Sequence, residues 1–180
     1  MDKAQLIAQL VAYAPPDERE QSYRRRMLAL CEAEQPFARK SFVPGHFTAS
    51  AIVLAPERDA VLLIFHRKLE LWLQPGGHVD PSDPTILATA EREVLEEVGI
   101  SGPDLGDRGI LDLDIHPIPS FGSEPAHEHF DVRFLFLARS REFEKTDEVV
   151  AARWVSLADV QNVTRDASVL RAVAKVQASS

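Results

Sequence analysis

The chain holds a single cysteine, Cys31, among its 180 residues. One thiol excludes a disulfide framework and a cysteine-rich zinc site. No apolar run approaches the ~20 residues that would span a bilayer. Cationic charge is also scarce: 20 Lys and Arg stand against 28 Asp and Glu, a formal net charge of −8. A protein that wraps nucleic acid needs a cationic footprint, so no stable nucleic-acid binding is expected. Small phosphorylated ligands stay open, because a divalent cation would moderate the repulsion. The opening stretch MDKAQLIAQLVAYAPPDERE lacks a basic start and a small-residue cleavage site. It does not read as a signal peptide, and the cytoplasm is the expected compartment.

What is present is ordinary globular composition in a chain of one-domain length. Residues 1–45 differ from the rest. Asp2 can cap a helix whose Leu6, Ile7, Leu10 and Val11 form an apolar stripe, and Pro15-Pro16 stop it. A second helix is expected over about 18–34, closed by Pro36 and then Pro44-Gly45. This is a helical N-terminal extension, too small to hold a core alone. The main domain is expected over 46–180. Ala49–Leu54 and Ala60–Phe65 read as a hairpin around Pro56-Glu57-Arg58-Asp59, and Leu71–Leu73 as a further strand. Strands are expected again at Gly109–Ile118, Phe130–Ala138 and Val149–Val155. Ser156 and Thr164 mark helix starts before a last helix at about 165–176. The pattern is an α/β/α sandwich on a mixed sheet.

The stretch Gly76-Gly77-His78-Val79-Asp80-Pro81-Ser82-Asp83-Pro84 precedes the helical segment TILATAEREVLEEVG. Asp83 suits the N-cap, Pro84 the first turn and Gly99 a left-handed stop. Leu87, Ala90, Val94 and Val98 recur at helical spacing and should face a sheet. Glu93, Glu96 and Glu97 fall at i, i+3 and i+4, so three carboxylates share the other face. Their repulsion costs a few tenths of a kcal/mol per pair, and their place near the helix C-terminus is unfavourable too. A hard cation such as Mg2+ or Mn2+ would neutralise both penalties. Charge clusters on helices are more often simply solvated. The Gly-Gly turn before a helix N-terminus, which lets backbone approach a phosphate closely, tips the balance.

These residues resemble the Nudix hydrolase box: Gly, five residues, Glu, seven residues, then Arg-Glu-aliphatic-x-Glu-Glu-x-Gly-aliphatic. Arg92-Glu93-Val94-Leu95-Glu96-Glu97-Val98-Gly99-Ile100 matches the second half at every specified position, and Gly77 supplies the leading glycine. Asp83 replaces the first Glu, and eight residues rather than seven separate it from Arg92. An extra residue before the helix leaves the register of the later acids intact. The resemblance implies a Nudix fold and a metal-dependent hydrolase that cuts a pyrophosphate bond in a nucleoside diphosphate linked to another group. It implies metal ligation by Glu93, Glu96, Glu97 and the Gly76 carbonyl. Arg92 would orient a glutamate of the box. Glu96 or the later Glu148 would serve as general base. A nucleotide-binding module without catalysis, or an interaction protein with an acidic surface helix, are the competing readings.

His127, His129 and Asp131 alternate, so they share one strand face. That row reads as a polar sheet face or pocket wall, with His129 as a substrate contact; a metal role stays open. His78, beside the Gly-Gly turn, and Arg67, after the second strand, are further substrate-binding candidates. Trp72 and Trp154 could stack a base, although core packing is commoner for such rings. The sequence leaves the oligomeric state open, a homo-oligomer included.

Overall fold

The computed structural model describes residues 1–67, 69–100, 104–147 and 149–178, with the side chains of 104–108 outside that description. The N-terminal segment forms α1 (Lys3–Ala12) and α2 (Glu18–Cys31). Asp2 and Asp17 cap them, accepting the N–H of Gln5 and of Glu20. The strands are β1 (Gly45–Leu54), β2 (Ala60–His66), β3 (Leu71–Leu73) and β4 (Gly76–His78). After α3 (Ile86–Val98) come β5 (Asp104–Ile118), β6 (His127–Leu137) and β7 (Ala152–Ser156). Two helices follow, α4 (Val160–Val163) and α5 (Ala167–Gln177).

The sheet runs β3-β2-β1-β6-β5, with β4 also on β1 and β7 on β2. Among the described residues the β1–β6 ladder alone is parallel, so the sheet is mixed as expected. Every residue of β1 is buried, which fits a strand at the centre of two layers. Its alternation divides the core. Phe47, Ala49, Ala51 and Val53 join α1, α2 and α3 on one face. Ile52 and Leu54 join α4 and α5 on the other. That second face changes character toward the start of β1. Continuing with period two from Ile52, it presents Ser50, Thr48 and His46, all buried and polar. The helix-covered apolar half thus gives way to a polar half.

The N-terminal helices share the main core. Leu6, Leu10, Met27, Leu30 and Cys31 pack in the cluster that holds Phe47 and Phe130. The buried Glu20 carboxylate pairs with Lys175 of α5 and accepts from the Tyr13 hydroxyl at 2.5 Å. Several expected boundaries move. β1 starts at Gly45 rather than Ala49, β5 at Asp104 rather than Gly109, β6 at His127 rather than Phe130 and β7 at Ala152 rather than Val149. α2 ends at Cys31 rather than about residue 34. The β2–β7 ladder holds Ile64 against Ala152 and Ala60 against Ser156, so β7 ends on Ser156 rather than Val155. Asp159 precedes α4 in place of Ser156. Asp166 caps α5 in place of Thr164, because its carboxylate reaches the N–H groups of Ser168 and Val169. No helix among the described residues is long and apolar enough to cross a membrane.

Candidate active site

The acidic helix α3 is fixed at both ends. Thr85 caps its N-terminus, accepting from the Ala88 N–H at 3.1 Å. Gly99 ends it with φ 66°, a left-handed turn that glycine adopts without strain, and returns its N–H to Leu95. Ile86, Ala90, Val94 and Val98 are buried against the sheet. The expected cap, Asp83, has a different task. The Asp80–Asp83 turn folds its carboxylate inward, where it accepts from the Asp80 N–H at 2.9 Å and from Thr89 Oγ1 at 2.8 Å. The helix therefore starts at Ile86, after Pro84.

That inward turn makes Asp83 the partner of Arg92. Arg92 Nε donates to Asp83 Oδ1 and Nη2 to Oδ2, both at 3.0 Å. Nη2 also donates to the His78 carbonyl at 2.8 Å. Nη1 spans Glu93 Oε1 at 2.9 Å and Glu96 Oε2 at 2.6 Å. One guanidinium thus gathers three carboxylates and the carbonyl at the end of β4, using the fork geometry that lysine lacks. The Asp83 hydrogen bond, followed by the Glu93 and Glu96 contacts, outweighs burial and holds Arg92 protonated. Burial pushes the Asp83 carboxyl up, but the bonds from Arg92, Asp80 and Thr89 outweigh it and keep it below the ordinary value.

The two glycines let β4 lie against this face. A Cβ on Gly77 would sit 2.6 Å from Glu93 Oε1, so only glycine admits the carboxylate there. A Cβ on Gly76 would strike Ser50 of β1. The Gly76 N–H donates to Glu97 Oε2 at 3.0 Å. Gly76 is thereby joined to Glu97, and Glu93 and Glu96 are joined through Arg92; the three carboxylates share the helix face without closing to mutual ligand spacing. Three hard carboxylates beside a backbone strand are a donor set that suits a divalent cation. Glu96 is the most open of the groups bound to Arg92, with 41% of its side chain exposed against 12% for Glu93.

The remaining sequence candidates divide. Arg67 lies exposed in the β2–β3 turn and makes no ion pair among the described residues. Glu148 lies outside the described residues. Thr146, two positions earlier, donates to the Glu96 carbonyl at 2.5 Å, so its loop runs along the last turn of α3. Trp72 packs on Phe65 and under the Arg153 guanidinium, and Trp154 Nε1 donates to the Arg141 carbonyl. Both rings are therefore engaged by their own chain.

His78 and His129 meet, with ring centroids 4.9 Å apart. They belong to a larger group that periodicity did not reveal. The β1–β6 register sets His46 beside His129, and the β5–β6 register sets His116 on its other side. His46 lies 4.9 Å from His129, 5.1 Å from His127 and 5.2 Å from His78. Five of the six histidines of the chain so line the polar half of the sheet. Burial lowers the pKa of His78 to about 4, and burial with the neighbouring rings lowers that of His129 to about 2. Next along the same face, Asp131 accepts from Thr48 Oγ1, Ser50 Oγ and Arg133 Nε. Arg133 is buried and also reaches Asp112 and Asp114. Arg171 and Lys175 of α5 continue that network to Asp112.

The model of the NUDIX domain matches residues 44–174, most of the chain. The chain belongs to the Nudix family. A probable DHNTP pyrophosphohydrolase of Lactococcus lactis subsp. cremoris is 32% identical over 99 residues, which cover 54% of this chain and 57% of that protein. The chain thus matches somewhat more than half the length of that relative. Among solved structures, the E. coli dihydroneopterin triphosphate pyrophosphohydrolase superposes with TM-score 0.60 at 18% identity, covering 74% of this chain and 96% of that one. The MutT protein of Methanosarcina mazei gives 0.59 at 19% identity, covering 74% and 93%. These likenesses share the Nudix fold, a mixed sheet between helical layers.

Proposed function

We propose that this Nudix protein is a divalent-metal-dependent pyrophosphohydrolase acting on a nucleoside diphosphate linked to another moiety. The observation that carries the reading is the set Glu93, Glu96 and Glu97 on one face of α3, closed on the Gly76-Gly77 strand by the Gly76 N–H bond to Glu97. Residues 46–180 form the catalytic domain in this reading, and residues 1–45 an extension that completes its core.

Glu93, Glu96, Glu97 and the Gly76 carbonyl would hold Mg2+ or Mn2+. Such an ion supplies positive charge for the bridging phosphates and lowers the pKa of a bound water. The protein's own groups do the rest. Arg92 fixes Glu93 while Asp83 fixes Arg92, so the carboxylate stands in place before substrate arrives. Glu96, more open than Glu93, is the base within the box, and Glu148 is the candidate from the later loop. His78 and His129 form the pocket wall on the substrate side, and Arg67 attracts anionic substrates at the mouth. Trapping a pyrophosphate near so many acids requires the cation, which accounts for a net-acidic enzyme acting on a polyanion.

The test is a panel of nucleoside triphosphates, nucleotide sugars, ADP-ribose, dinucleotides and dihydroneopterin triphosphate, assayed with Mg2+ for phosphate or pyrophosphate release. The L. lactis relative's name makes the pteridine triphosphate the first compound to try. Turnover of at least one nucleotide member supports the reading, and turnover of dihydroneopterin triphosphate alone would keep the pyrophosphohydrolase and assign it a pteridine triphosphate instead. Binding without release would assign the chain to nucleotide sensing instead.

A further inference from the structure

We propose that His46, His127 and His129 form a second metal site, separate from the glutamates of α3, that takes a first-row transition ion such as Zn2+. Each of the three can offer one ring nitrogen, and those atoms all lie within 4.8 Å of one another. Among the described residues, no other group of His, Cys, Asp or Glu side chains comes together in this way.

The tautomers point the same way. His46 Nδ1 lies 3.0 Å from the Ser41 carbonyl, and His127 Nδ1 lies 2.8 Å from the Pro125 carbonyl. A carbonyl only accepts, so each Nδ1 carries the proton and each Nε2 presents a lone pair. This is the way protein metal sites orient their histidine ligands, through a carbonyl held by the far nitrogen. His46 is fully buried, and its Nε2 has no hydrogen-bond partner. A buried acceptor without a partner keeps its full desolvation cost, and a bound cation removes it.

Softness separates the two sites. Imidazole nitrogens favour Zn2+, Co2+, Ni2+ or Cu2+, whereas the carboxylates of α3 favour Mg2+ or Mn2+. A tetrahedral ion with Zn–N bonds of ~2.1 Å spaces its ligands ~3.4 Å apart, so the ring nitrogens close in by at most ~1.4 Å on binding. His129 is the partly exposed member of the three, so the fourth position opens on its side, toward His78 and the polar half of the sheet. Three histidines with one open position form a site that can take a substrate oxygen. The proposal does not depend on pyrophosphate hydrolysis.

The experiment uses the full chain and two metal probes, in a large excess of Mg2+ to fill the carboxylate site. Co2+ should bind with one equivalent and give visible bands of a nitrogen-rich, low-coordinate ion. Cu2+-loaded protein, read by pulsed electron paramagnetic resonance, should show three imidazole couplings; fewer than three overturns the site without any variant. His129→Ala and His127→Ala should each weaken Co2+ binding at least ~10-fold. Glu97→Gln should leave it unchanged. No Co2+ bands in the wild type, or binding lost in Glu97→Gln, would overturn the proposal, because the ion would then be absent or held by α3.

Discussion

Arg92 Nε and Nη2 meet the two oxygens of Asp83 at 3.0 Å each, and the same guanidinium holds the carbonyl of His78. The pair ties the acidic helix to the glycine strand from behind. The shift of Asp83 by one residue from the box spacing is absorbed in the turn before the helix, and a carboxylate still reaches Arg92. Asp83→Ala would strip the acceptor from Arg92, Thr89 and the Asp80 N–H together. We expect a loss of about 2–3 kcal/mol in chemical denaturation, because buried donors are left unpaired. A change below about 0.5 kcal/mol would remove Asp83 from this role.

Gly77 tests how closely the strand must approach. Alanine there places a methyl 2.6 Å from the Glu93 carboxylate, so either the strand or the acid moves. A displacement of about 1 Å at a reacting centre can cost about 10²-fold in rate. Gly77→Ala should therefore lose turnover on that scale, with a higher Mg2+ requirement and a far-ultraviolet spectrum like the wild type. Full activity in this variant would show that Glu93 need not lie against the strand.

The N-terminal helices are part of the core, and stability should report it. Leu10 is fully buried in the cluster that contains Phe47 and Phe130. Leu10→Ala should cost about 2–5 kcal/mol, the range for emptying a packed site. A helix that merely rested on the surface would give a far smaller loss, and the urea midpoint distinguishes the two.

Acid should weaken the far side of the sheet. Burial pushes the Asp114 carboxyl up, but the His116 hydrogen bond and the Arg133 and Arg171 charges outweigh it and hold it well below its ordinary value. Asp166 is lowered as well: its bonds to Ser168 and Val169 and the charge of Arg133 overcome its burial. A depressed carboxylate contributes its stability in full above its unfolded pKa of about 3.9 and loses it as pH falls through the folded value. Urea midpoints should thus hold between pH 8 and about 5 as far as these groups are concerned, then decline steadily below. Asp114→Asn should start lower at neutral pH and decline less. An equal decline in the variant would place the acid sensitivity elsewhere.

The helix, its left-handed stop at Gly99 and its acidic face were legible because period, punctuation and charge agree along one local stretch. The β1–β2 hairpin and the mixed sheet were legible for the same reason. Asp83 was misread because a residue before Pro84 fits a cap on sequence grounds, while its burial depends on a turn that only the folded chain shows. His46 and His116 were invisible. Both join His129 through strand register: His46 across a parallel ladder that sets residues 83 apart in sequence side by side, and His116 across the antiparallel β5–β6 ladder. The Arg133 network was hidden likewise, since Asp112, Asp114 and Arg171 come from separate elements. Local chemistry can be read from a sequence; chemistry assembled across strands needs the register.

The central claim is that the carboxylates of α3 serve the reaction through a cation. The most direct measurement is turnover of Glu97→Gln against the wild type at saturating Mg2+, with any substrate from the panel. Glutamine keeps the shape and can still accept the Gly76 N–H, but it removes the charge. The account predicts a folded protein of wild-type melting behaviour whose turnover is essentially abolished. Equal turnover in the two proteins would contradict it.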